Sequence, residues 1–135
     1  MNRTSKRRRR READCRDLRL ALIELVGKCE CCGHGPDNPW PDLGYQMSVL
    51  CCHEILNAGL RQKTLDEPCT LLVACYFCNQ YELHNRTKWP RERQLAALKR
   101  SRPDGEFGYN LARFLELRNP NAPLAITQEE VDRWL

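Results

Sequence analysis

"KCECCGHG" at residues 28–35 and "LLVACYFCNQ" at residues 71–80 each carry a cysteine pair at C-x-x-C spacing, Cys29/Cys32 and Cys75/Cys78. A two-residue gap lets one tight turn aim both sulfurs at a single ion, and zinc takes four such soft ligands in a tetrahedron. Gly33, directly after the first pair, suits a knuckle. The second pair closes an apolar run, where a strand enters a helix. The expectation is one structural Zn²⁺ on Cys29, Cys32, Cys75 and Cys78. Spacing alone does not settle the partner of Cys31. Cys15, Cys51 and Cys69 read as small buried hydrophobes. Residues 33–74 are too many for a plain zinc ribbon, so a further unit is inserted between the half-sites.

The rest of the chain supports a metal-stapled reading. Its 135 residues make one domain with a modest core. Nine cysteines, an odd number, fit poorly with a closed disulfide framework. In a reducing compartment clustered thiols bind metal or do chemistry. The longest apolar run, "LRLALIELVG" at 18–27, carries Arg19 and Glu24 and is far too short to span a bilayer. A soluble cytoplasmic protein without a membrane partner is expected.

Charge is unevenly placed. Residues 1–12 carry Arg3, Lys6 and Arg7 to Arg11 against Glu12, a balance of +6 within a total of +4. A second basic stretch at 84–102 also sums to +6. Two such stretches suggest a polyanionic partner, most simply DNA. Arg7, Arg8, Arg9, Arg10, Arg86, Lys88, Arg91 and Arg93 are the candidate phosphate contacts.

Four segments follow from periodicity. Residues 1–12 read as a basic disordered arm. Residues 13–28 hold an amphipathic helix with Leu18, Leu22 and Leu25 inward and Gly27 at its end. Residues 29–85 form the zinc-stapled core. There "YQMSVLCCHEIL" (45–56) reads as a strand or hairpin arm, "NAG" (57–59) as a turn, 61–68 as a loop, and 69–79 as a buried strand leading to a short helix near Cys78. Residues 86–135 form a helical extension. Pro90 opens a helix over 91–100, "PDG" (103–105) breaks it, and Leu111, Phe114 and Leu115 share one face of the next. Thr127 and Glu130 make a capping box, with Ile126 stapled to Val131 and Trp134 and Leu135 continuing the apolar face.

The order "CECCG", "CCHEILNAG", "CTLLVACYFCN" resembles the HNH nuclease family, over about residues 29–85. The resemblance implies an α+β fold, a small treble-clef or ββα-metal zinc domain with an N-terminal helix and C-terminal helices. It also implies a metal-dependent endonuclease that hydrolyses DNA phosphodiester bonds. With Ile55 at the family's aliphatic position, His53 falls on the metal-ligand position and Glu54 on the catalytic base. With the frame moved by one, Cys52 becomes the ligand and His53 the base. The family's central Asn position falls on Thr70. The closing ligand position falls on Asn79, and His84 is a further ligand candidate. His53, Asn79 and His84 would then hold a divalent cation such as Mg²⁺, Mn²⁺ or Ni²⁺. An imidazole suits the base role better than a carboxylate. The competing expectation is a zinc-stapled nucleic-acid-binding module without catalysis.

Overall fold

A computed structural model describes residues 6–56, 67–102, 107–117 and 125–135, with the backbone alone at Arg8, Arg11 and Glu12. The expected turn at 57–59, most of the loop at 61–68 and the break at 103–105 lie outside the described residues.

Helix α1 spans Lys6–Val26. The basic residues from Lys6 onward are thus its first turns, where the sequence suggested a disordered arm. Arg and Lys are good helix formers and neither Gly nor Pro interrupts the run, so local propensity carries the helix through the charges. Gly27 ends it in the left-handed region, φ 70°, with its N–H on the Ile23 carbonyl at 2.8 Å. The inward stripe runs through Cys15, Leu18, Leu22 and Val26. Leu25, expected inward, is 46% exposed, one position off that stripe.

A single turn, α2 (Gly44–Met47), precedes strand β1 (Leu50–Glu54). The segment expected as one strand at 45–56 is therefore divided. Buried Ser48 is the reason: its hydroxyl donates to the Gly44 carbonyl at 2.9 Å and accepts the Trp40 N–H at 2.8 Å, closing the turn. A short 3₁₀ turn (Pro68–Thr70) leads into β2 (Leu71–Cys75). β1 and β2 pair antiparallel, with Leu50 opposite Cys75, His53 opposite Leu72 and Glu54 opposite Leu71.

This two-stranded sheet divides the core. Alternation along a strand sends neighbours to opposite faces. Leu71 and Val73 face α1 and pack with Leu22, Leu18 and Val26. Leu72 and Ala74 face the larger cluster on the other side. Every residue of β2 is buried, which is why it reads as an unbroken apolar run. After β2 comes a π-helical turn (Cys78–Glu82). Then follow α3 (Arg91–Ser101), α4 (Leu111–Leu117) and α5 (Gln128–Asp132). α3 buries Leu95 and Leu98, and α4 buries Phe114 and Leu117. Thr127 caps α5, its hydroxyl accepting from the Glu130 N–H at 3.2 Å, and Val131 is buried with Ile126. Trp134 and Leu135 are exposed, at 41% and 55%, because the chain turns out of helix after Asp132. The fold is α+β, a small mixed structure carrying a cysteine cluster. Among the described residues no helix is long and apolar enough to cross a membrane.

Candidate functional site

The first C-x-x-C turn is shaped by backbone geometry. Gly33 sits at φ 83°, its N–H reaches the Cys29 carbonyl at 2.9 Å, and the Cys29 N–H reaches the His34 carbonyl at 2.7 Å. This knuckle docks on the open edge of β2. The Glu30 N–H donates to the Val73 carbonyl at 2.8 Å, and the Val73 N–H donates to Glu30 Oε1 at 2.8 Å. The second C-x-x-C lies at the exit of the same strand, so β2 brings the two half-sites together.

The sulfurs of Cys29, Cys32, Cys75 and Cys78 all lie within 4.8 Å of one another. Cys32 and Cys75 are 3.7 Å apart. A tetrahedral zinc with bonds of about 2.3 Å places its sulfurs about 3.8 Å apart, so the four could hold such an ion with little movement. The donors around them suit thiolates. The Trp40 indole N–H and the Cys78 N–H both point at Cys75 Sγ at 3.4 Å, and the His34 N–H points at Cys32 Sγ at 3.4 Å. Hydrogen bonds from Cys31, Cys32 and Cys78 hold the Cys29 thiol well below its ordinary range. Their contacts with Cys29 raise all three of those donors in turn. Cys31 thus touches the cluster at its rim but is not one of the four.

The remaining cysteines are packing groups. Burial pushes the Cys69 thiol up to about 11 and raises Cys51. Cys15 is buried on α1.

The inserted strand brings His53 to a second cluster. His53 Nδ1 lies 3.1 Å from Asn79 Oδ1. A carbonyl oxygen accepts only, so the Nδ1–H donates and Nε2 carries the free lone pair. The His84 ring stands edge-on to His53 with centroids 6.5 Å apart. Burial lowers the His53 pKa, the Asn79 hydrogen bond opposes the shift, and Arg86 and His84 add to it, so the net effect favours the neutral imidazole. Among the described residues its buried Nε2 has no hydrogen-bond partner. Arg91 donates to the Ile55 carbonyl at 3.4 Å, which anchors its guanidinium at the end of β1. Burial lowers the Arg91 pKa, and the nearby Arg86 cation lowers it further.

No protein-family model, curated protein or solved structure matches this chain.

The two residues expected beside His53 lie on the other face of the sheet. Glu54 forms an ion pair with Arg19 of α1 at 2.7 Å. The Cys52 thiol points at the Arg19 carbonyl at 3.7 Å, with burial pushing it up to about 11. Positions 52 and 54 share a face and position 53 has the other, so neither family frame gives His53 a strand neighbour as partner. Thr70 bonds within its own turn, to the Glu67 carbonyl at 2.8 Å. The amide that meets His53 comes from Asn79 instead, one residue past Cys78.

The basic stretches divide by role. Arg7, Arg9 and Arg10 are exposed on the first turns of α1, and the side chain of Arg8 lies outside the described set. Lys88 pairs with Glu82 at 2.6 Å, and Arg93 lies over the Trp89 ring at 3.8 Å. Lys99 pairs with Asp132 at 2.7 Å, and Arg102 is buried against Glu30. Glu30, Arg102, Arg19 and Trp40 were not legible as site residues. The contacts that place them, Arg19 with Glu54, Trp40 with Cys75 and Glu30 with Arg102, span 35, 35 and 72 positions of the chain.

Proposed function

We propose that the chain is an HNH-like, metal-dependent DNA endonuclease built on a zinc-stapled ββα core of treble-clef type. The observation that carries this reading is the gathering of His53, Asn79 and His84 directly beside the four-cysteine cluster. Asn79 and His84 would hold a divalent cation, which when bound supplies charge stabilisation at the scissile phosphate and the leaving oxygen. Three features support this: the Asn79 amide oxygen holds one ring nitrogen of His53, the other, Nε2, has no hydrogen-bond partner among the described residues, and the His84 imidazole stands edge-on to the same ring.

The chain's own residues divide the work. His53 takes the proton of the attacking water on Nε2, while Asn79 Oδ1 holds its Nδ1–H and so fixes tautomer and ring orientation. Arg86 and Arg91 attract and orient the phosphate. Zinc on Cys29, Cys32, Cys75 and Cys78 ties the β1–β2 pair to the turn that carries Asn79. Glu54, engaged by Arg19, has no catalytic role. The basic turns of α1 track the phosphate backbone.

Plasmid nicking with added Mg²⁺, Mn²⁺ or Ni²⁺ tests this. Wild type nicks with at least one of them, and His53→Ala loses about a hundred- to ten-thousand-fold, the range supplied by general acid–base catalysis. Absence of nicking under all three ions, or equal nicking by His53→Ala, sinks the proposal.

One observation favours a second reading, a zinc-stapled DNA-binding module without turnover. His53 Nε2 is buried, and its strand neighbours Cys52 and Glu54 are committed to the α1 face. That reading expects steeply salt-dependent DNA binding and no cleavage.

A further inference from the structure

A row of aromatic rings crosses the outside of the metal centre. His34 and Trp40 stack with centroids 4.1 Å apart. Trp40 meets Phe77 at 5.3 Å, and Phe77 meets Tyr81 at 5.3 Å. The row is held from beneath, since the Trp40 indole N–H is bonded to Cys75 Sγ and both Trp40 and Phe77 rest on the core. It opens outward, with Tyr81 61% exposed. Rings held in place from beneath lose little entropy when a ligand binds, and Tyr81, resting on Phe77, leaves most of its own ring open to solvent.

Beside the row lies a hollow of about 190 Å³, walled by Trp40, Phe77, Trp89, Glu82, Lys88 and Arg93. Its floor is made by the thiols of Cys31, Cys32 and Cys78, and its rim carries Lys88, Arg93 and Glu82. Lys88 is held by Glu82, and Arg93 is flattened on Trp89, presenting a planar cation next to the rings. Aromatic faces with flanking cations are what unpaired bases and their phosphates require. A duplex, whose bases are already stacked, gains nothing from such a row.

We propose that this ridge and hollow form a stacking site for unpaired nucleobases, so that the protein engages single-stranded nucleic acid through Trp40, Phe77 and Tyr81. The proposal rests on the nucleic-acid part of the functional reading and not on catalysis. The same π-helical turn carries Asn79 toward His53 and Tyr81 toward solvent.

The test uses the full zinc-loaded chain and two probes, a labelled oligo(dT) strand and a labelled hairpin duplex. Oligo(dT) quenches tryptophan fluorescence in wild type. Tyr81→Ala weakens oligo(dT) binding by about five-fold or more, the effect of losing one base–aromatic stack, while Tyr81→Phe retains it. Duplex affinity stays the same in both variants, as does the slope of binding against salt. Zinc content and circular dichroism matching wild type show that the variants fold. Unchanged oligo(dT) binding by Tyr81→Ala, an equal loss on the duplex, or no oligo(dT) binding at all overturns the proposal. Nicking of duplex with no effect of Tyr81→Ala on oligo(dT) removes the ridge and leaves the nuclease reading intact. Ridge-dependent binding without nicking does the reverse.

Discussion

Glu30 and Arg102 meet at 2.7 Å, 72 positions apart in the chain, with both side chains fully buried. Arg102 Nε also reaches Glu30 Oε2 at 3.1 Å, and Ser101 donates to the same oxygen. The remaining guanidinium donors go to the carbonyls of Pro68, Phe107 and Leu71. This pair bolts the first cysteine turn to the end of α3 and the start of β2, so it controls the spacing of the two half-sites.

Removing one member strands a buried charge. Arg102→Met is expected to cost about 3–5 kcal/mol in urea unfolding, with Glu30→Leu/Arg102→Met recovering part of it. The recovery is partial because Glu30 also holds the Val73 N–H. A loss below 1 kcal/mol for the single variant would show that the charge is hydrated or the pair absent.

Metal analysis is expected to find one zinc per chain, retained in Cys51→Ser and lost in Cys75→Ser. Structural zinc contributes about 10–16 kcal/mol in small peptides, comparable to the whole stability of a domain of this size. A chelator therefore unfolds the hairpin region, seen as loss of amide protection in β2. Full protection in metal-free protein contradicts this.

The pH dependence has a definite sign. The folded state lowers the His53 pKa from 6.5, so the unfolded chain takes up the proton first as pH falls. Stability from this group is intact above about 6.5 and declines as pH drops from there through the folded value. Urea unfolding of zinc-loaded wild type and His53→Asn, compared between pH 7.5 and 5.5, measures it. Wild type loses more than the variant on acidification, and a variant that loses as much removes His53 as the cause.

Glu54 and His53 separate by face. Glu54→Gln weakens a partly buried pair with Arg19, replacing the carboxylate by an amide of the same shape, and is expected to cost about 1 kcal/mol of stability. Nicking is expected to stay within a few-fold of wild type. A loss of activity as deep as that of His53→Ala would put Glu54 back at the reacting centre.

Local features were readable in advance. The four cysteines, the helix stop at Gly27 and the Thr127–Glu130 capping box depend on residues within a few positions of one another. The 3.6-residue period located α1, although Leu25 was placed one position off the buried stripe. The strand period of two already separated His53 from Cys52 and Glu54. It was outweighed by the family pattern, which treats neighbours on that strand as partners.

The chain by itself determined which sulfurs come in pairs, where its helices stop, and that two of its stretches are basic, because these follow from spacing, propensity and composition over short range. Only the tertiary structure decided which face of the β1–β2 pair each polar group occupies. It also decided which cations are spent on internal carboxylates, and that Asn79 rather than position 70 meets His53. The His53–Asn79 and Glu30–Arg102 contacts join residues 26 and 72 positions apart, and no local pattern encodes which distant group will fill a buried polar partner's remaining bonds.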